Sequence, residues 1–245
     1  MLQQGWHSIL HKTEQGSAAS FIGGQPCIPA SVSLPVCKIC GEPLTFFFQA
    51  AFPEGHIWAG KSLAFFYCSA TYHKHKAKEQ FPPPVHAATR DNFDIPDGAL
   101  DPDTYQTLFR AIVFDTADGV RRVDYQEKVA YQEIEWKPRK AKDKKTPIIL
   151  GGEPIWTGIR NYGKERPATY CGEQMGLLLQ VAEDFNFDKL PDAPPEIEEC
   201  FFDEEPFKER DEPNYTLFYE FNRVYLWGPV DCKEPVVYLN VQNDI

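Results

Sequence analysis

The chain has 245 residues, 42 % of them hydrophobic and 14 % aromatic, with a formal net charge of −11. That length and apolar content allow one large core or two smaller ones. A surface so acidic repels phosphate and argues against general nucleic-acid binding, whereas it suits a basic protein partner.

In chain order, residues 1–20 read as a polar, loose or weakly helical lead-in without the apolar centre of a secretory leader. No run approaches the roughly 18 apolar residues of a membrane span, so a soluble, cytoplasmic protein is expected. Phe21-Ile22-Gly23-Gly24-Gln25-Pro26 reads as a turn, because the glycine pair admits positive φ and Pro26 stops a helix or central strand. Runs 44–48 and 63–67 are short, apolar and aromatic, and read as strands buried on both faces, with a turn at Pro53-Glu54-Gly55 between them. Residues 79–103 read as a proline-rich loop, and 104–109 as one or two helical turns capped by Asp103. Strands are predicted at 111–114, 120–125 and 131–136, with Asp118-Gly119 as the hairpin turn between the first two. The basic run within 137–146 reads as a solvated linker in preference to a nucleic-acid patch. Residues 183–212 are strongly acidic and aperiodic, a surface loop. Strands at 215–221, 224–227 and 235–241 close the chain, the first two joined at Asn222-Arg223.

Two segments echo one another. Gly23-Gly24-Gln25-Pro26 is matched by Gly151-Gly152-Glu153-Pro154. Cys40-Gly41-Glu42, three large apolar residues at 46–48 and Gln49 are matched by Cys171-Gly172-Glu173, Leu177-Leu178-Leu179 and Gln180. The expectation is an internal duplication. The predicted fold is α+β and mostly β, with pseudo-twofold lobes at 1–136 and 147–245 that share a core. Trp58, Trp136, Trp156 and Trp227 are assigned to that core or to the contact between lobes.

Cys37 and Cys40 have the two-residue gap that lets one turn present two sulfurs to a zinc ion. Gly41 follows, where such a turn commonly needs a residue without a Cβ. Cys68 ends the second aromatic strand and His73 follows it, with His75 as the substitute. The predicted ligands are therefore Cys37, Cys40, Cys68 and His73. Four protein ligands leave no open position, so the zinc would be structural. The second copy keeps only Cys171, with Ala168 where its partner would sit, and should be metal-free. Cys27, Cys200 and Cys232 read as buried small hydrophobes.

No Gly-x-Ser-x-Gly elbow, His-Glu-x-x-His helix or dinucleotide glycine fingerprint occurs. His7, His11, His56 and His86 are scattered and read as ordinary surface histidines.

The order Gly-Gly-x-Pro, Cys37-x-x-Cys40-Gly41, apolar triplet, Gln49, then a strand ending in Cys68 resembles the programmed cell death protein 2 family, which includes the yeast twenty-S-rRNA-accumulation protein. Gly151-Gly152-Glu153-Pro154-Ile155-Trp156 and the segment from Cys171 to Gln180 look like the same family's C-terminal region, and are also similar to the bacterial YwqG-like domain of unknown function. The resemblance covers 21–75 and 147–182. The family's second cysteine pair is matched by Cys68 and His73, where His73 replaces a cysteine, and the MYND zinc finger of some animal members is absent. The resemblance implies a binding role, since eukaryotic members are chaperones for a small-subunit ribosomal protein. The expected function is a non-enzymatic protein-binding module with one structural zinc, chaperone-like towards a basic client. The alternatives are a YwqG-like bacterial accessory protein and a hydrolase with its site between the lobes.

Overall fold

Three phenylalanines in a row, Phe46 to Phe48, cannot share one face of a strand, because successive side chains point to opposite sides. A strand that carries them has to be covered twice. In a computed structural model of the chain that strand is Thr45–Ala51, and all three rings are buried. The structure describes residues 4–37, 41–69, 93–94, 109–139, 146–156, 169–170, 172–182, 185–199, 207–210, 212–215, 222–231 and 235–243.

Ten strands form the path of one large antiparallel sheet. They are β1 (Gly5–His11), β2 (Phe21–Ile22), β3 (Thr45–Ala51), β4 (Lys61–Tyr67), β5 (Phe109–Asp115), β6 (Gln132–Pro138), β7 (Ile148–Gly151), β8 (Glu173–Val181), β9 (Asn222–Pro229) and β10 (Tyr238–Asn243). Their spatial order is β10-β9-β8-β7-β1-β6-β2-β3-β4-β5. Two short strands, Phe93–Asp94 and Thr169–Tyr170, pair with one another, and the second also pairs with β8. β1 lies between β7 and β6, while β6 lies between β1 and β2. The opening strands of the two halves, β1 and β7, thus pair with one another and join the halves in one sheet.

Backbone features recur at corresponding places on either side of the β1–β6 contact. Phe21 lies opposite Gln49 and Ile22 opposite Phe48; Ile149 lies opposite Gln180 and Leu150 opposite Leu179. The register of β3 against β4 shifts between Phe46 and Phe48, and that of β8 against β9 between Leu177 and Leu179. Gly23 and Gly24 have φ of 60° and 64°, Gly151 and Gly152 of 59° and 71°. Gln49 Oε1 accepts the Cys27 N–H at 3.1 Å, and Gln180 Oε1 accepts the Ile155 N–H at 2.9 Å.

One apolar cluster draws on both halves, with Phe47, Phe48, Trp58 and Phe65 beside Leu178, Leu179 and Leu226. Removing a ring or leucine of this kind from water stabilises by about 1.5–3 kcal/mol. Trp58 ties the halves directly. Its Nε1–H donates to the Pro229 carbonyl at 2.8 Å, and a Cβ on Gly228 would come within 2.3 Å of its ring. Trp227 is also fully buried; Trp136 and Trp156 are half-buried.

The structure corrects several expectations. Among the described residues there is no α-helix, only the 3₁₀ turn Thr116–Asp118, so the helical part of an α+β fold is missing. Aromatic and β-branched residues at period two favour strands throughout. The described residues of the supposed helical turn at 104–109 reduce to Phe109, which opens β5. The lead-in contains β1, a central strand in which Trp6 and Ser8 turn inward and Leu10 is half-buried. Gly119 has φ −67°, so Asp118-Gly119 is no primed hairpin turn, and Val120–Arg121 pairs with Cys27–Ile28 instead of β5. Asn222 and Arg223 lie inside β9. The acidic stretch is not all loop: Glu196–Glu199 and Phe207–Arg210 pair, with Glu196 opposite Arg210 and Glu198 opposite Lys208. The opposite charges of Glu196 and Arg210 favour that register. β6 runs through Lys137 and Pro138, so the basic run begins in a strand, and residues 140–145 lie outside the described residues. No helix among the described residues is long and apolar enough to cross a membrane.

Candidate metal centre

The expected knuckle grows out of the chain just before β3. Val36 and Pro43 form an antiparallel bridge. Inside it the Cys37 N–H donates to the Glu42 carbonyl at 2.7 Å, and the Gly41 N–H returns to the Cys37 carbonyl at 2.8 Å. These two bonds tie Cys37 to Gly41 and Glu42. Gly41 stands at φ 80°, and nothing lies within 4 Å of the place a Cβ would take. Backbone conformation, not space, therefore selects glycine here. Cys40 immediately precedes it in sequence; Cys40, His73 and His75 lie outside the described residues.

Cys68 follows β4 directly. Thr45 is paired with Tyr67, and extending that pairing by one residue sets Cys68 beside Leu44. Cys37 and Cys68 are both buried, at 2 % and 5 % exposure, in one cluster with Leu44, Phe46 and Phe66. The structure thus brings two of the four expected ligands to the same end of β3 and β4. Tyr125 supports this end from above the register shift: its hydroxyl accepts the Phe46 N–H at 2.7 Å, and burial pushes that hydroxyl well above its ordinary pKa. Among the described residues no three His, Cys, Asp or Glu side chains gather as a metal ion needs. The two buried thiols, Cys37 and Cys68, are of the donor type that zinc accepts.

Lys128, Thr45 and Ser69 complete the surroundings, and sequence reasoning missed all three. The Lys128 Nζ donates to the Pro43 carbonyl at 3.0 Å and to Thr45 Oγ1 at 3.4 Å. Thr45 Oγ1 and Ser69 Oγ share a hydrogen bond of 2.5 Å. Burial pulls the Lys128 amine below its ordinary value, while the charges of Cys68 and Glu42 pull it back up. No local pattern marks Lys128, because it reaches the site from a distant part of the chain.

The histidines have other roles. His56 is buried; its Nδ1 accepts the Trp58 N–H at 3.0 Å and its ring stacks on Phe52 at 4.4 Å. Burial lowers its pKa to about 4, against a weaker upward pull from the Leu178 backbone. It is a packing residue, not the surface histidine expected. His11 is exposed and pairs with Glu135 at 3.3 Å. His7 sits half-buried in β1, and His86 lies outside the described residues. Cys27 is half-buried, its thiol raised by burial and eased back by Arg121; Cys200 and Cys232 lie outside the described residues.

The sequence matches no protein-family model and no curated protein.

Proposed function

We propose that the chain is a non-enzymatic protein-binding module, braced by one structural zinc, that holds a basic client in a chaperone-like manner. The family resemblance suggests a ribosomal protein as the type of client. The observation that carries this reading is where the charge lies. Residues 183–212 include thirteen acidic and three basic side chains, close to the whole of the chain's −11. Asp192, Glu209 and Glu212 in this stretch are exposed. A basic segment meeting such a surface gains association rate and specificity from complementary potential.

Titrating a labelled Lys/Arg-rich peptide into the protein tests this. Binding is expected at about 50 mM salt and should weaken strongly by about 300 mM, as screening demands. Replacing Asp203, Glu204 and Glu205 by their amides should weaken it too. Absence of binding at low salt overturns the proposal.

Cys37, Cys40, Cys68 and His73 would hold the zinc, leaving no open position on the ion, which would brace the fold and not activate water. We also read the two lobes, 1–136 and 147–245, as copies of one unit. The repeated glycine conformations, register shifts and glutamine bridges support this reading. The stretch between Val36 and Pro43 is two residues longer than that between Thr169 and Gln174, and this extra length accommodates Cys37 in only one copy.

A further inference from the structure

Gln180 holds Ile155 much as Gln49 holds Cys27. Gln49 Oε1 accepts the Cys27 N–H at 3.1 Å, while Gln180 takes both backbone groups of Ile155, the N–H at 2.9 Å and the carbonyl at 3.1 Å. Each held residue follows a glycine pair of positive φ and a proline, Gly23-Gly24-Gln25-Pro26 in one half and Gly151-Gly152-Glu153-Pro154 in the other. The far side of the held residue differs between the halves.

In the first half the chain itself covers that side. Val120–Arg121 pairs with Cys27–Ile28, setting Arg121 opposite Cys27 and Val120 opposite Ile28, and the Arg122 N–H donates to the Pro26 carbonyl at 2.9 Å. Ile28 is fully buried as a result. In the second half Pro154, Ile155 and Trp156 stand in the places of Pro26, Cys27 and Ile28. Neighbouring residues of an extended chain turn their backbone groups to opposite sides. With Ile155 turned to Gln180, the Pro154 carbonyl and the N–H and carbonyl of Trp156 turn away from it, and none of these has a hydrogen-bond partner among the described residues. The Trp156 ring packs on Tyr225 at 4.8 Å and on Trp227 at 6.2 Å, both fully buried, yet Trp156 itself is only half-buried.

Backbone groups left open beside a buried aromatic cluster are a template for an added strand. The first half shows what such a strand carries, a β-branched residue opposite the position of Trp156 and a basic one opposite that of Ile155. Charge points the same way. The exposed Glu153 stands where the first half has the neutral Gln25, and the nearby Arg139 and Arg223 donate to the Glu153 and Ile155 carbonyls.

We infer that residues 154–156 receive an extended segment of a basic partner protein, added antiparallel as a strand, with a β-branched residue opposite Trp156 and a basic residue opposite Ile155. This inference rests on the basic-client reading given above and names where that client docks.

The test uses the full chain, isotope-labelled only at its five tryptophans, and a peptide that alternates valine with arginine. The Trp156 amide signal is identified by its loss in Trp156→Phe. Its hydrogen exchange should slow by about tenfold or more when the peptide is bound. The same peptide with its backbone N–H groups methylated keeps every charge but cannot pair as a strand, and should bind about tenfold more weakly. A peptide that binds while Trp156 exchange stays unchanged, or a methylated peptide that binds equally well, overturns the inference and leaves the client reading intact. A peptide that does not bind at low salt sinks the client reading, and the inference with it.

Discussion

His56 shows what a single side chain does at the contact between the halves. It stacks on Phe52, lies 5.9 Å from the Trp6 ring and accepts the Trp58 N–H, all away from water. Burial holds its pKa near 4, below the ordinary 6.5. The unfolded chain therefore takes up this proton first as the pH falls. The stabilisation is complete above about pH 6.5 and is lost progressively as pH drops towards 4, about 3 kcal/mol at most. His56→Asn should flatten this part of the profile, since an asparagine oxygen can still accept the N–H two residues on and stays neutral. Urea midpoints of both proteins across about pH 7 to 4.5 check it; parallel profiles would contradict it. Trp58→Phe should cost about 1–3 kcal/mol by leaving the Pro229 carbonyl without its buried donor, read in the same denaturation experiment.

Turns and strands carry the next set of consequences. Gly23 has positive φ, and a Cβ there would lie 2.3 Å from the Ala130 carbonyl oxygen. Gly23→Ala should destabilise by about 2–5 kcal/mol, from strain and overpacking together. Gly41 has positive φ but open space, so Gly41→Ala should cost only about 1–2 kcal/mol. Thermal melts that rank the two the other way would contradict this. Gln180 bridges the Ile155 N–H and carbonyl at 2.9 and 3.1 Å. Gln180→Met should cost about 1–3 kcal/mol, because the Ile155 N–H loses its acceptor, while the Ile155 carbonyl keeps the Tyr225 hydroxyl at 2.9 Å and Arg223 at 3.3 Å; a midpoint unchanged in urea would count against it. These elements were legible in the sequence to unequal degrees. The glycine pairs and the Cys37 turn could be read because positive φ and thiol spacing are local properties. The triple-phenylalanine strand could be read because three adjacent rings demand two covered faces. β1 could not, since Gly-Trp-His-Ser-Ile-Leu-His is only half apolar and its burial comes from β6 and β7, remote in sequence. Lys128 was hidden for the same reason, and so was the pairing of the acidic stretch, where cross-strand charges replace an apolar pattern.

At the scale of the molecule, the opening strands of the two halves, β1 and β7, pair with one another so that both halves share one sheet, and the apolar cluster passes through the join. Neither half is then expected to hold its sheet alone, and stability should be lost in one cooperative step. The proposed metal centre would sit at one end of this arrangement, where Cys37 and Cys68 share a buried cluster with Leu44, Phe46 and Phe66. Zinc affinity at such a site would be folding free energy, because its ligands come together only in the folded chain. The most direct measurement is the native mass of the purified protein beside that of Cys37→Ser. The account predicts one zinc per wild-type chain, none in the variant, and a clearly lower melting temperature for the variant. A wild-type chain at its metal-free mass after growth with zinc, melting where Cys37→Ser melts, would contradict it.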